Sequence, residues 1–293
     1  MSSIAVTGAA GNTGRAVIAA LACRGVRTTA LVHRDEQKAQ AVAAGADRVV
    51  AVDYTNRSAL SKAIGGVDAV YHVPPNMHPA EDRLTQHMID IAHECAVKRF
   101  VLHSVLAPYL PAMPHHLRKA RSEVALRGSD LTWTIMQPGW YAQNLLTQIP
   151  RARDEGVINV PHSVSARFTP VDLEDVAEVA ATVLTEEGHD FATYELSGPA
   201  MLNAHEMAEI VSDVLGIPVR AEEQTIGQWR ESAPRLRDGA AEGFEAMFRY
   251  YDQHGLTGNP RILTMLLGRA PTDLSTVLAR DVGGPPSPGV RSH

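Results

Sequence analysis

The sequence predicts an α/β protein, a doubly wound parallel sheet followed by a smaller mixed α/β C-terminal lobe. Three observations predict it. Short β-branched runs alternate with amphipathic stretches through the first half, a glycine-rich turn joins the first run to the first amphipathic stretch, and the alternation stops near Pro138. Together they give a Rossmann-type domain over 1–138, the smaller lobe over 139–282 and a Gly-, Pro- and Ser-rich tail over 283–293, expected to be mobile.

Candidate strands fall at 4–7, 27–33, 48–52, 69–73, 100–103 and 132–137. Helical patterns lie between them at 12–23, 36–44, 58–64, 80–95 and 116–127. Right-handed crossovers place the strand carboxyl ends on one edge, where open α/β sheets bind ligands. After Pro138 a short helix is expected over 140–148, a longer one over 173–184 and a strand over 193–196. A helix over 204–215 stops at Gly216 and Pro218, and further helices cover 239–254 and 272–280. No second βαβ series is expected.

Composition narrows the function classes. The 293 residues are 45% hydrophobic and 20% charged, which excludes a disordered or fibrous chain. Aromatic content of 5% speaks against a base-stacking platform, and a net charge of −6 against a protein that grips phosphate backbones. Cys23 and Cys95 make neither a disulfide framework nor a zinc signature, so a reducing compartment is expected. No basic-then-apolar leader and no membrane-length apolar run are visible, so the expectation is a cytoplasmic protein that contacts neither membrane nor nucleic acid.

The sharpest local signal is Thr7-Gly8-Ala9-Ala10-Gly11-Asn12-Thr13-Gly14-Arg15, between the first strand and the first helix. Gly8 permits the tight turn, Gly11 lets backbone amides approach a pyrophosphate, and Gly14 allows close helix–strand packing. The helix N-terminus adds N–H donors and a positive dipole end. A dinucleotide is the expected ligand. Arg34 stands at the end of the second strand where an NAD site carries a carboxylate, and with Arg15 it suits a 2′-phosphate, so NADP(H) is expected. The competing reading makes Arg34 a solvated loop charge and Asp35 a helix cap. Asp53 either borders the adenine with Tyr54 or caps a helix.

Several ordered motifs then carry a resemblance. Thr7–Arg15, Tyr71-His72-Val73-Pro74-Pro75-Asn76, His103-Ser104-Val105-Leu106, Met113-Pro114-His115-His116 with Lys119, and Gln137-Pro138-Gly139-Trp140-Tyr141 with Asn144 resemble the NmrA-like group of atypical short-chain dehydrogenases. The resemblance runs from residue 3 to about 280. It implies either an NADPH-dependent reductase of quinones or related conjugated electrophiles, or an NADP(H)-binding protein that reports redox state to a regulatory protein partner. An isomerase or cyclase on the same fold is a distant third. Fold alone does not choose between them.

The resemblance also assigns roles. In related dehydrogenases a Ser orients the carbonyl, a Tyr transfers the proton, and a Lys four residues after the Tyr lowers its pKa and holds the ribose. Ser104 and Lys119 match, but His115 stands in the tyrosine slot with His116 beside it. The histidines either donate a proton to a developing oxyanion or shape the pocket and cap the helix, and Lys119 would depress their pKa. Tyr141 is a second donor candidate. Val73 and Pro74 are expected to form a rigid wall past the nicotinamide ribose, and Asn76, Trp140, Tyr141 and Asn144 to face a small-molecule substrate between the lobes. Trp140 serves equally well in packing. Asp172 and Asp175 are expected to cap and charge a helix N-terminus. His72 and His103 lie near the ligand edge, without ligand spacing for a metal. Oligomeric state leaves no mark in the sequence.

Overall fold

The computed structural model describes residues 2–232, 236 and 239–282; the expected tail at 283–293 lies outside the described residues. The chain runs β1 (Ser3–Val6), α1 (Asn12–Cys23), β2 (Arg27–Val32), α2 (Lys38–Ala43), β3 (Arg48–Ala51), α3 (Arg57–Ile64), β4 (Ala69–His72), α4 (Glu81–Glu94), β5 (Arg99–His103), α5 (Pro114–Arg127) and β6 (Trp133–Pro138). It continues through α6 (Ile149–Glu155), β7 (Val157–Val160), α7 (Leu173–Thr185), β8 (Ala192–Leu196), α8 (Ala204–Leu215), β9 (Arg220–Glu223), α9 (Ile226–Ser232), α10 (Ala240–His254), α11 (Arg261–Leu267) and α12 (Leu274–Val282). Two segments are 3₁₀ rather than α-helical: Asp35–Gln37 at the start of the helix expected over 36–44, and Ala142–Gln148 in place of the short helix expected over 140–148.

Seven strands form one sheet in the order β3-β2-β1-β4-β5-β6-β8. From β3 to β6 every neighbouring pair is parallel, with Val6 opposite Tyr71 and His103 opposite Met136. The strand order reverses between β1 and β4. That switch point opens a crevice at the carboxyl ends of the two strands, beside Thr7 and Val73. The strands are short and apolar on both faces because helices cover both, as a parallel sheet requires. α1 buries Gly14, Val17, Ile18 and Leu21, one face at helical spacing. Leu31, Ile64, Val70, Met88, Phe100, Leu102 and Ile135 belong to the core of this part.

The chain divides into two compact units, 1–110 with 115–137 and 174–194, and 111–114 with 138–173 and 195–293. The division is not a single cut near 138: 111–114 belong to the second unit, and nearly all of α7 returns to the first. Arg24, just after α1, ties it there, bonding to Thr182, Thr185 and Glu186, and Arg99 reaches the Val183 carbonyl. In the second unit β7 and β9 pair in parallel, a single pair where no βαβ series was expected. Asp172 is more than a capping charge. It accepts both Arg280 terminal nitrogens, at 2.9 and 3.0 Å, and the Gln143 amide. Among the described residues no helix is long and apolar enough to cross a membrane.

Candidate functional site

The glycine turn is built as a cradle. Gly8 has φ +60°, a left-handed conformation that costs glycine little. Gly14 packs so close that a Cβ there would stand 2.4 Å from the Gly8 carbonyl oxygen. Three of the turn's amides are spent inside the fold: Gly8 N–H donates to the Tyr54 hydroxyl at 2.8 Å, Ala9 N–H to the Leu31 carbonyl at 3.2 Å, and Gly11 N–H to the Gly8 carbonyl at 2.9 Å. The first turn of α1 begins with Asn12, which is exposed, and Thr13, which is half-buried, before the buried Gly14. No side chain caps this turn, and its amides lack intrahelical acceptors. Arg15 donates to the Asn12 side chain at 2.8 Å and leaves a buried Nε without a partner among the described residues. Arg34 is exposed and forms no ion pair among the described residues, while neighbouring Asp35 is taken by Lys38 at 2.7 Å. Uncapped amides, an orphaned guanidinium N–H and an unpaired arginine suit the phosphates of a dinucleotide.

Asp53 caps no helix. Its carboxylate accepts the Thr55 amide and hydroxyl, which holds its pKa below the usual carboxylate value, and Asn56 caps α3 instead. Tyr54 is the more informative neighbour, because it fixes the Gly8 amide and burial raises its phenol pKa.

At the switch point a chain of hydrogen bonds fixes one tautomer. Thr85 donates to the Glu81 carbonyl at 2.9 Å, so its oxygen accepts from His72 Nε2–H at 3.2 Å. His72 Nδ1 then offers only a lone pair to the Thr7 hydroxyl at 3.0 Å, whose one proton is shared with the Val73 carbonyl at 3.2 Å, and Thr7 Oγ1 accepts the Val73 amide at 2.8 Å. Burial, then the charge of Lys119, hold the His72 pKa down to about 3. His72 is thus a neutral structural link between the glycine turn and α4. Beyond it, Pro74 is buried, Asn76 is exposed and Met77 is buried at φ +56°, a loop under local strain.

The buried face of α5 is polar. His115, His116, Lys119, Ser122, Glu123 and Leu126 line it at helical spacing. Lys119 Nζ bonds Glu81 Oε1 at 2.5 Å in a pair almost wholly removed from water, and Glu81 Oε2 has no partner among the described residues. Ser104, just past β5, donates to Glu123 Oε1 at 2.5 Å, and the Gln137 amide donates to the same oxygen at 2.7 Å. His103 meets the Tyr71 hydroxyl at 2.7 Å, and burial followed by Lys119 brings its pKa to about 3.

His115 and His116 pack edge to face, with ring centroids 4.5 Å apart. Burial leads, with His116, Lys119 and Arg118 adding to it, in bringing His115 down to about 2, and its Nδ1 lacks a partner. Burial also brings His116 down to about 4, against the opposing bond from its Nδ1–H to the Ala107 carbonyl at 3.0 Å. Both rings are therefore neutral near pH 7. An imidazolium donor in the tyrosine slot does not fit this environment. His116 instead holds Ala107, a non-glycine residue at φ +52°.

Trp140, Tyr141 and Asn144 belong to the second unit. Trp140 packs on Phe168, ring centroids 5.8 Å apart, and Phe168 packs on Tyr251 and His162. Its half-buried ring thus has an aromatic packing role of its own. Tyr141 forms a bridge to Val171, and Asn144 is exposed. Sequence reasoning missed Glu81 and Glu123, and it named Tyr54 only beside the adenine, without its bond to the Gly8 amide. Glu123 was within reach, since it follows Lys119 by four on one helix face. Among the described residues no group of three His, Cys, Asp or Glu side chains could hold a metal ion.

The family model of the NmrA-like family matches residues 1–279. The chain belongs to the NmrA-like family. It is 33% identical over 222 residues, 75% of this chain and 76% of the relative, to a (4-alkanoyl-5-oxo-2,5-dihydrofuran-3-yl)methyl phosphate reductase of Streptomyces griseus. It is 30% identical over 78% of its length to an NAD(P)H azoreductase of Xenophilus azovorans, 79% of which is covered. The fold matches the structure of an NADPH-dependent quinone oxidoreductase of Escherichia coli complexed with NADPH, at a TM-score of 0.81 and 24% identity, covering 94% of this chain and 99% of that one.

Proposed function

We propose that this NmrA-like protein is an NADPH-dependent oxidoreductase that reduces a quinone or another conjugated carbonyl compound. The observation that carries the reading is the glycine cradle at the sheet's switch point, with an uncapped helix start and the unpaired Arg34. The reductase names of its family relatives support the same class of reaction. Thr7, Gly8, Gly11, Asn12, Thr13, Gly14 and Arg15 would hold the pyrophosphate side, Arg34 the 2′-phosphate, and Val73, Pro74 and Lys119 the nicotinamide side, with Asp53 and Tyr54 near the adenine. Bound NADPH supplies a hydride.

The residues of the site favour acceptors that take hydride readily. No tyrosine stands at 115, the two histidines there are neutral, and Glu81 and Glu123 engage Lys119 and Ser104. Strong polarisation of an unactivated ketone is therefore not what this arrangement offers, whereas a quinone or enone is electrophilic without it. Asn76, Trp140, Tyr141 and Asn144 are the substrate-side candidates. The test is loss of NADPH absorbance against a panel of quinones, enones and aldehydes, with NADPH binding measured in parallel. Binding without any turnover would refute the reading.

The engagement of both Ser104 and Lys119 by carboxylates also favours a second reading, a non-catalytic NADP(H) sensor with a protein partner. It requires the partner to distinguish the NADPH-bound from the NADP⁺-bound form, and equal affinity for both would remove it.

A further inference from the structure

Glu123 is a buried carboxylate that the proposed reaction leaves without a task. It lies one turn after Lys119 on the polar face of α5. Among the described residues no cation pairs with it, because Lys119 is taken by Glu81. Its Oε1 accepts two hydrogen bonds, from Ser104 Oγ at 2.5 Å and from Gln137 Nε2 at 2.7 Å. The arrangement clamps β5, β6 and α5 together, but apolar side chains could do that without burying a charge.

A hydroxyl carries one proton. Once Ser104 has given it to Glu123, Oγ has only lone pairs left to offer a ligand. A carboxylate is the group that enforces this direction, because it cannot donate in return. Gln137 strengthens the arrangement: its N–H enters the same oxygen and holds that oxygen in place opposite Ser104.

We infer that Glu123 sets the hydrogen-bonding polarity of Ser104, making it an acceptor that selects conjugated substrates carrying an O–H or N–H donor beside the electrophilic carbon. The inference rests on the oxidoreductase reading of this site and narrows its substrate class to acceptors bearing a hydroxyl or primary amide substituent. Glu123 is a positioning residue in this scheme. It acts through Ser104.

The experiment compares binding of hydroxymethylnaphthoquinone and its methyl ether to the NADP⁺-loaded protein by calorimetry. The two ligands differ in one donor. Wild type should prefer the alcohol by about tenfold, the size of one hydrogen bond. Glu123→Gln keeps an acceptor oxygen opposite Ser104 and should keep the preference. Glu123→Met frees the serine proton and should bring the ratio close to one, as should Ser104→Ala, which serves if the Met variant does not fold. No preference in wild type, or an undiminished preference in Glu123→Met or Ser104→Ala, would overturn the inference. So would a change confined to NADP⁺ affinity, which would mean that Ser104 reads the cofactor. The titration needs no turnover, so failure of the NADPH oxidation assay would remove the oxidoreductase reading alone. The ligand pair would still decide the polarity of Ser104, with or without NADP⁺.

Discussion

Gly14→Ala tests the cradle with a single methyl group. The new Cβ would stand 2.4 Å from the Gly8 carbonyl oxygen, 2.7 Å from Ala9 Cα and 2.8 Å from the Gly8 carbonyl carbon. The closest approach is about 1 Å inside an ordinary carbon–oxygen contact. All three atoms are backbone, so no side chain can swing aside and the turn itself must open. Helix propensity favours alanine by about 1 kcal/mol. Overpacking costs about 1–3 kcal/mol, and three backbone clashes place this site at the upper end. The net expectation is a loss of about 2 kcal/mol, a fall in Tm of about 4 °C or more. NADPH affinity should fall by more than about tenfold, because the displaced atoms carry the turn beneath the phosphates. Gly227→Ala is the control, since its Cβ would meet only the Thr225 hydroxyl, at 3.8 Å. It should leave Tm unchanged or raise it slightly. Thermal unfolding and NADPH titration of both variants decide the matter. A Gly14→Ala protein with wild-type Tm and wild-type affinity would refute the reasoning.

Arg34→Ala should weaken NADPH by about tenfold or more and leave NADH nearly unchanged, and equal losses would show that Arg34 does not read the 2′-phosphate. The four buried histidines, His72, His103, His115 and His116, have folded-state pKa values depressed to between about 2 and about 4. The unfolded chain therefore binds more protons, and stability should fall as pH drops below about 6.5, by up to about 1.4 kcal/mol per pH unit for each ring. Denaturant unfolding at several pH values between 7 and 5 measures the slope, and a flat profile would contradict the burial of these rings. Lys119→Met should cost about 3–5 kcal/mol by stranding Glu81, and adding Glu81→Gln should restore much of that stability without restoring NADPH affinity. Recovery of both together would make Lys119 purely structural.

The first half of the fold was legible because its signals are local. The expected span of α1 agrees with the structure at both ends, and so does that of α8, where Asn203 and Glu206 form a capping box and Gly216 adopts the left-handed conformation. Short elements were lost. β7 and β9 have four residues each, and α6, α9 and α11 have seven, too few for a periodic pattern to emerge. In the site, the glycine turn, Arg34, Ser104 and Lys119 could be named from sequence because motif spacing marks them. Glu81 and the role of Tyr54 could not, since these residues meet Lys119 and Gly8 across 38 and 46 positions of chain. The pairing of strands, which no local rule contains, brings them together. The histidines at 115 and 116 show the same limit from the other side. Their position was readable, but their neutrality depends on burial and on Lys119.

The hydrogen-bonded series from the Val73 amide through Thr7, His72 and Thr85 ends on the backbone of the residue whose side chain holds Lys119. The glycine turn proposed to grip the nucleotide and the Lys119 end of the site are therefore mechanically joined rather than separable modules. A foreign glycine turn grafted here without a hydroxyl at position 7 would leave His72 without its proton donor and would disturb α4, and through it the lysine, well away from the graft. Exchanging cofactor preference in this chain is for that reason a task for side chains at the rim, such as Arg34, while the turn itself can be transplanted only together with β4 and the start of α4.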